Sequence, residues 1–578
     1  GINTSILPAV AGGGQSAAST IQQFFTDIFD VSPPENDTPP EEGFNASVDN
    51  INAVFGDFVE LFKDVAEDVR PTFQSLGSNP FDPNIGWEGS GMPSTIITNS
   101  EITNNRTGIG IAAARTNLIV SEPIIVGQNC SPFGVCVPII GGFRTTTIHP
   151  KDVRFAGFGG GIHNDLGLLV IDESTLTNNE VDTRLGAMGG AVSSFFGVVR
   201  VRDSKLNGNR VYSTTILPTG GAIHSFASWV DVADSELNDN DAPVGLFLSS
   251  GGAVKSTALS YVKLEHCKIN GNSSGGGGGI SNDYLAFLNI NDSTIANNSV
   301  TGIIGAYGGG IRNENGGHIT ISNSTINGNS AKGKAKGGGI YNHCEPLVKV
   351  VASVPVPIIA LSTATIRNTT ISGNTVDGKG TYGIPLEALG AGVYNGSSGS
   401  DIKIGADKFP VIAIANLNLY SSTIYGNTAR NGIIHTGGGL YNTAISNIKI
   451  NPLNTRPGVS VVEIANNLFA ANTPNDLFNA SFTPAAITSL GYNLDSDGSG
   501  SQAAVLSDPL LPSDRRFITV SDPMLAPLGH NGGPTFTHAL NPLSPAKEKG
   551  SPNGVLNATA APPGDQRGLD RSLGGRRD

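Results

Sequence analysis

Asp495 and Asp497 lie two residues apart in the Ser- and Gly-rich loop DSDGSGS, residues 495–501. Carboxylate oxygens at alternate positions of such a loop are typical Ca²⁺ ligands. The Glu that completes an EF-hand loop is missing, so the pattern indicates either a site resting on these two carboxylates or an ordinary surface turn. Ca²⁺ is the only cofactor that the sequence indicates.

Cys130 and Cys136 flank the short stretch SPFGV and could close a small disulfide loop. A disulfide would fit an oxidising compartment. Two free thiols are the alternative, and the spacing does not decide between them. No CxxC pair or Cys/His cluster in the sequence indicates a zinc site.

Acidic residues that could serve a hydrolase or a lyase recur at regular intervals instead of clustering. Asp172, Asp203, Asp234 and Asp292 each lie just before a repeated hydroxyl position. A residue type that returns once per repeat is typical of a solvated surface column, whereas acid–base catalysis needs groups that converge. No Ser-His-Asp or Cys-His set can be assembled, so we predict no catalytic residue.

A repeat of about 30 residues organises the middle of the chain. One half of it is Gly-Gly-Gly-aliphatic-x-Asn, as in GGGIYN at 337–342, and the other is Ser-Thr-aliphatic-x-Gly-Asn, as in STINGN at 324–329. Alternating segments such as GVVRVRD and HITISNS separate the halves and predict short strands. A unit of this size cannot bury its own hydrophobic face and must stack on its neighbours.

Stacked units of this kind predict an all-β protein, a right-handed parallel β-helix of about ten coils with an N-terminal α-helical cap and insertions. Equivalent residues of successive coils then lie about 4.8 Å apart in columns. The Asn of the second half can therefore form a structural, hydrogen-bonded ladder. The predicted ladder consists of Asn179, Asn209, Asn240, Asn272, Asn298, Asn329, Asn374 and Asn427.

In three copies of the Gly-rich phrase, the residue after the aliphatic one is a tyrosine. These residues are Tyr341, Tyr394 and Tyr441. In stacked coils these three rings fall in one column. An exposed column of aromatic rings could hold a sugar chain, and a column at an interface would serve packing instead. The sequence leaves both roles open.

The recurring STIxGN…GGGIYN wording resembles bacterial surface proteins with pectate-lyase-like right-handed β-helices, over about residues 94–475. The segments SLGYNLDSDGSGS, DPMLAPLGHNGGPTFTHALNPLSPA and DQRGLDR resemble the choice-of-anchor Q domain, which follows β-helices in such proteins. The resemblance implies an extracellular or cell-surface location. SPAKEKG stands where that family has an acidic phrase, and the sequence ends at GGRRD without an anchor, which puts attachment to a cell wall in doubt.

Four regions follow from these patterns. We predict an N-terminal extension (1–15) that could add to another chain as an intermolecular strand, a helical cap region (16–90), the β-helix (91–475) and a choice-of-anchor Q-like region (476–578). Several insertions are apolar, and exposed apolar surface marks interaction sites. The insertions are expected at 118–150, 343–362, 376–390, 397–412 and 443–458.

Composition limits the partners. The net charge of -13 and the lack of a basic stripe argue against nucleic acid, and no apolar run is long enough to span a membrane. Residues 26–68 carry twelve acids against one base, whereas 547–578 carry six bases against four acids. Opposite charge at the two ends favours head-to-tail contact in a homo-oligomer or polymer.

The leading functional prediction is a secreted or cell-surface structural protein that self-assembles into a fibre, sheath or surface layer. Rod ends, terminal segments and apolar insertions would make the contacts. The alternative is a carbohydrate-active protein with a polysaccharide partner. It would be either a lyase or hydrolase with a divergent site, or an adhesin that uses the tyrosine column.

Overall fold

Short parallel strands joined by tight corners wind into a right-handed parallel β-helix, which confirms the predicted fold class. The α-helical cap predicted within 16–90 lies outside the residues that the structure describes. The computed structural model describes residues 2–5, 94–107, 109–110, 118–130, 136–148, 154–183, 186–213, 218–243, 249–345, 347–351, 354–358, 360–380, 384–404, 407–411, 413–446, 458–480, 485–503, 505–506, 518–519, 521–552, 562–571 and 576–577.

Four long parallel sheets, here sheets A to D, run along the rod. Sheet A consists of Ile2–Ser5, Ile162–Asp165, Val192–Phe195, Ile223–Phe226, Val254–Thr257, Ile280–Asn282, Ile311–Glu314, Ile340–Cys344, Val393–Ile404, Leu440–Ser446 and Leu477–Asn479. Sheet B consists of Ser94–Thr98, Leu168–Asp172, Val198–Arg202, Trp229–Ala233, Tyr261–Glu265, Phe287–Asn291, His318–Ser322, Ala360–Arg367, Ala413–Tyr420, Val459–Ala465, Ala485–Gly491 and Val505–Leu506.

Sheet C has two parts, which the bridging residue Glu236 joins. Its strands are Glu101–Thr103, Thr175–Thr177, Lys205–Asn207, Lys268–Asn270, Thr294–Ala296, Thr325–Asn327, Thr370–Ser372, Thr423–Tyr425, Leu468–Ala470, Leu494–Asp495 and Ile518–Thr519. Sheet D consists of Arg106–Thr107, Glu180–Thr183, Arg210–Ser213, Asp241–Ala242, Ser273–Ser274, Ser299–Tyr307, Ser330–Lys336, Thr375–Asp377 and Thr428–Arg430, and Glu387–Leu389 and Ile434–Thr436 extend it.

Smaller elements complete the described structure. A side sheet contains Ile109–Gly110, Arg154–Phe158, Gly186–Met188 and Pro218–Thr219. Antiparallel pairs are Leu118–Cys130 with Cys136–Ile148, Leu347–Val351 with Val354–Ile358, Val393–Ile404 with Asp407–Val411, and Ser551–Pro552 with Arg576–Arg577. Three of these pairs lie in the predicted insertions 118–150, 343–362 and 397–412. One short helix, Ser499–Ala503, is described near the C-terminal end of the coils.

The core is a set of aliphatic columns. In-register pairing places Ile162, Val192 and Ile223 of sheet A directly on one another, and all three are fully buried. The alternating segments of sheet B contribute a second column in the same way, for example Val199 and Val230. Each column buries apolar surface that a single coil would expose, so stability comes from stacking.

The Gly-rich phrase forms the corner that enters sheet A. Gly220 has a φ of +69°, a left-handed conformation that L side chains rarely adopt. A Cβ on the next residue, Gly221, would fall on the carbonyl oxygen of Gly252 in the neighbouring coil. Glycine is therefore required by the backbone path and by the close approach of coils.

Both ends of the chain return to the rod. Ile2–Ser5 pairs in parallel with Ile162–Asp165 of the same chain, with Ile2 opposite Ile162. At the other end, strands continue in sheets B and C as far as Thr519. Residues 521–552 and 562–571, here the C-terminal module, then lie against the outer face of sheet C.

Candidate functional site

The asparagine ladder forms a continuous hydrogen-bonded column. Nδ2 of each predicted Asn donates to Oδ1 of its counterpart one coil further on, at 2.8–3.1 Å. The other N–H donates back to a main-chain carbonyl, as from Asn298 to Ile269 O at 2.9 Å. The column also includes Asn105 and Asn472 at its ends. With its amide groups bonded in this way, the ladder is structural and leaves nothing for a substrate.

A second asparagine column, which was not predicted, lies inside sheet A. Its members are linked Nδ2 to Oδ1 at 2.7–3.0 Å, and all but the last of them end a Gly-rich phrase such as GGGIYN. They are Asn282, Asn313, Asn342, Asn395, Asn442 and Asn479. The signal was present in the repeat, because this Asn returns at the same position in phrase after phrase.

The tyrosine column is stacked and buried. Ring centroids lie 5.0 Å apart for Tyr341–Tyr394 and 5.6 Å apart for Tyr394–Tyr441. The three residues are 3%, 0% and 8% exposed in chain order. Burial raises the pKa of the Tyr441 hydroxyl to about 12 and raises the pKa of the other two tyrosines. These rings pack the outer side of sheet A and offer no open face to a sugar chain.

The two carboxylates of the predicted Ca²⁺ loop accept main-chain hydrogen bonds. Gly500 N–H donates to Asp495 Oδ2 at 2.6 Å, and Ser499 N–H donates to Asp497 Oδ1 at 2.9 Å. These N–H groups belong to the first turn of Ser499–Ala503, which such carboxylates stabilise. Among the described residues, no three His, Cys, Asp or Glu side chains are grouped to hold a metal. The Ca²⁺ site stays a prediction.

Cys130 and Cys136 face each other across the antiparallel pair that fills the first insertion. Directly opposed residues of antiparallel strands have Cα atoms about 4.5–5.5 Å apart, a separation that a disulfide can bridge. The register is thus compatible with the predicted bond. The disulfide itself stays a prediction.

Four charged side chains converge on the outer face of sheet A and interrupt its columns. Lys255 pairs with Asp283, and Arg312 pairs with Glu314. All four residues, here the charged cluster, are 5–9% exposed. The pKa of Glu314 is raised, and burial is the largest cause. The positive charge of Arg312 opposes that shift. The cluster therefore places two carboxyl groups, Asp283 and Glu314, on adjacent coils.

Two atoms of the charged cluster have no hydrogen-bond partner. They are Asp283 Oδ1, an acceptor, and Arg312 Nε, a donor. Buried polar groups are nearly always bonded, so such atoms call for a ligand or a water. The repeat pattern did not predict that these four residues would meet. The available signal was a break in the column that holds Phe195 and Phe226 in earlier coils.

At the N-terminal end of the rod, the described parts of sheets B, C and D each begin with a single strand. We call the strands Ser94–Thr98, Glu101–Thr103 and Arg106–Thr107 the end coil. Ser100 is exposed and Asn105 half-buried, although their counterparts Ser174 and Asn179 are buried. Among the described residues, no strand pairs with the outward edge of the end coil. An edge of this kind is one that another strand could extend.

The C-terminal module is held to sheet C by the motifs that resembled the choice-of-anchor Q domain. Gln566 Nε2 donates to Ser324 O at 3.0 Å, and Thr370 Oγ1 donates to Gln566 Oε1 at 2.7 Å. His538 Nε2 lies 2.8 Å from Ser372 Oγ. An open cavity of about 530 Å³ lies between module and rod. The motif residues therefore act as docking contacts.

Among the described residues, the structure contains no helix long and apolar enough to cross a membrane. The chain matches no known protein-family model, and it matches no curated protein and no solved structure.

Proposed function

We propose that the chain is an extracellular structural protein whose rods join head to tail into a fibre, sheath or surface layer. The end coil carries this proposal, because in the part of the chain that the structure describes its outward edge pairs with no strand. Unpaired parallel strands are normally covered or disrupted in soluble proteins because they recruit further strands. Here the residues that such a neighbour would bury, among them Ser100, are exposed.

The two rod ends offer matching sheets. Sheets B and C begin at Ser94–Thr98 and Glu101–Thr103 and end at Val505–Leu506 and Ile518–Thr519. A second copy placed end to end would continue both sheets in the parallel sense. Such a contact joins two different surfaces, and contacts of that type form open polymers when the rotation does not close.

The proposed location follows from the resemblance to pectate-lyase-like surface proteins and to the choice-of-anchor Q domain. The β-helix and the docked C-terminal module are compatible with that architecture. Secretion and any anchoring belong to the proposal, and the apolar insertions would add lateral contacts between rods.

Electron microscopy of the purified chain over a concentration series tests assembly. Ile96→Pro is the informative variant. The N–H of Asn99 bonds inward to Asp172 O at 3.2 Å, so alternation along the strand directs the N–H of Ile96 outward. Proline would remove that outward donor and should block joining, whereas Ile96→Thr keeps the N–H and should assemble. Short single rods of the unaltered chain at every concentration would refute the proposal. Repeating the series with a calcium chelator tests whether Ca²⁺ contributes to assembly.

The charged cluster favours a second candidate, a polysaccharide hydrolase or lyase. Its two carboxyl groups would be Asp283, paired with Lys255, and Glu314, paired with Arg312, since such an enzyme uses a pair of carboxyl groups. The test is cleavage of acidic and neutral polysaccharides, followed as new reducing ends and as unsaturated products. Glu314→Gln should abolish any activity, and unchanged cleavage by that variant would exclude this site. An adhesin that binds a sugar chain through Tyr341, Tyr394 and Tyr441 would need these rings at the surface, and they are buried.

A further inference from the structure

Lys255 and Asp283 form a buried ion pair between adjacent coils. Lys255 lies opposite Ser281, and Asp283 follows two residues later, so both side chains leave the same face of sheet A. The Lys255 ammonium donates to Asp283 Oδ2, and to Ser281 Oγ at 3.2 Å. Among the lysine–carboxylate pairs that the structure describes, only this one has both side chains buried, each 7% exposed. The pair is therefore shielded from water, unlike the ion pairs on the rod surface.

The hydrogen bonding of this pair is incomplete. Asp283 Oδ1 is buried and has no hydrogen-bond partner. Burying two charges costs free energy, which their attraction offsets only where the remaining hydrogen bonds are made. An amide bond between the two side chains would remove both charges and one carboxylate oxygen together. Such a reaction needs no path from the solvent, because both reacting groups belong to the protein.

Glu314 lies next to the pair. The register places it in the same column as Asp283, one coil further on and about 4.8 Å along the rod. Burial is the largest cause of the raised pKa of Glu314, and the charge of Asp283 adds to it. Burial also lowers the pKa of the Lys255 ammonium, although Asp283 opposes that shift. Both shifts favour uncharged forms, and these are the forms that react, because a neutral amine is the nucleophile and a neutral carboxyl group donates a proton.

We propose that Lys255 and Asp283 condense into a side-chain amide bond that joins two adjacent coils, with Glu314 as the proton carrier. Lys255 Nζ attacks the carboxyl carbon of Asp283. The carbon–nitrogen bond forms, one carbon–oxygen bond of the carboxyl group breaks, and two protons of the ammonium leave with that oxygen as water. Glu314 passes these protons from nitrogen to oxygen and ends in the state in which it began. No oxidant or other reactant is needed.

The fold supplies the conditions that this reaction requires. Two reacting groups that are held in contact behave as if they were present at about 10⁵–10⁸ M in favourable cases. The amide would tie together two coils that are otherwise joined by hydrogen bonds and packing, which suits a rod that bears load. It would also consume the Asp283 carboxyl group that the polysaccharide-cleaving candidate needs, so the two uses of the charged cluster exclude each other. The bond does not depend on head-to-tail assembly and can be measured on single rods.

Mass spectrometry of the purified chain, with its cysteines reduced, tests the bond. The unaltered chain should be one water molecule lighter than its sequence, and trypsin should fail to cut at Lys255. The digest should then contain peptide 211–263 joined to peptide 269–312. Cleavage at Lys263, whose ammonium pairs with the partly exposed Glu265, is the control within the same peptide. The full sequence mass, or a lost water together with cleavage at Lys255, would overturn the proposal.

Variants of the charged cluster test the separate roles. Lys255→Met keeps a long, unbranched side chain without the amine, so that chain should retain its full mass. Glu314→Gln keeps the shape of the side chain but carries no proton, and the linked fraction should grow about 100-fold more slowly after cell-free synthesis. Glu314→Asp, which keeps a carboxyl group, should link faster than Glu314→Gln. Loss of water from Lys255→Met, or an unchanged rate in Glu314→Gln that circular dichroism shows to be folded, would overturn the proposal.

Discussion

Asn472 donates from Nδ2 to the carboxylate of Asp476 at 2.7 Å, and this contact closes the asparagine ladder. Every earlier member donates to another amide, whereas Asp476 only accepts. Its second oxygen, Oδ2, accepts from Ser496 N at 2.7 Å. The ladder thus has a direction: it begins at Asn105, whose amide donates to Asn179, and ends at the acceptor Asp476.

Removing one amide from the middle of the ladder should destabilise the rod. Asn298→Ala deletes the acceptor of Asn272 Nδ2 and the donor to Asn329 Oδ1, at 2.8 and 2.9 Å. Leaving buried groups unpaired should lower the free energy of unfolding by about 1–3 kcal/mol per group. Urea unfolding followed by circular dichroism measures the loss. Asn416→Ala, on the half-buried outer face of sheet B, is the control and should unfold like the unaltered chain.

The hydroxyl of Tyr394 is buried and has no hydrogen-bond partner. Tyr394→Phe keeps the stacked ring and removes the unpaired group, so it should leave stability unchanged or raise it by up to about 1 kcal/mol. Tyr394→Ala should instead cost about 3–5 kcal/mol through the cavity it creates. Thermal unfolding of the two variants separates these effects. A large loss with Tyr394→Phe would show that the hydroxyl does have a partner.

The coils were predictable from sequence because stacking imposes a rule on every unit. Ile162, Val192 and Ile223 return at matched positions, since each must lie over the one in the coil before it. The same rule identifies the first asparagine ladder. It says nothing about outward side chains, because burial on that face depends on corners and insertions. Tyr394 could therefore be assigned to a column, but its exposure could not.

The charged cluster shows where sequence reasoning stops. Lys255 and Asp283 are 28 residues apart in sequence and meet only because they lie on adjacent coils. To predict this pairing, one must know the strand register to within a single residue. The repeat units vary in length, and this variation obscures the register. Gln566 is a harder case, since its partner Ser324 lies 242 residues away. Nothing in a repeat predicts where a module outside the repeat will dock.

Acid should destabilise the fold through its buried histidines. Burial, with Lys255 and His163 nearby, lowers the pKa of His224 to about 3 from its ordinary 6.5. Between those values the unfolded chain binds a proton that the folded chain excludes, so stability falls as pH falls from about 6.5 to about 3. His224→Gln should flatten this fall in urea midpoints measured across that range. His343, whose pKa burial also lowers to about 3, should account for part of the fall that remains. An identical pH dependence for His224→Gln and the unaltered chain would contradict the assignment.

Gln566 should decide whether the C-terminal module stays on the rod. It is 8% exposed and bonds to Ser324 O and Thr370 Oγ1 on two different coils. Gln566→Ala leaves Thr370 Oγ1 without its acceptor, whereas Ser324 O keeps its bond from Thr370 N–H, so docking should weaken by about 1–3 kcal/mol. The coils themselves bury their own core, so they should remain folded. Limited proteolysis should therefore cleave the variant first within 521–571 and leave a stable rod.

Gln502→Ala, at an exposed position outside the contact, should keep the digestion pattern of the unaltered chain. If Gln566→Ala is cut no faster than this control, the module is held by other contacts, of which Arg571 Nη2 to Asn368 Oδ1 at 3.1 Å is the next to remove.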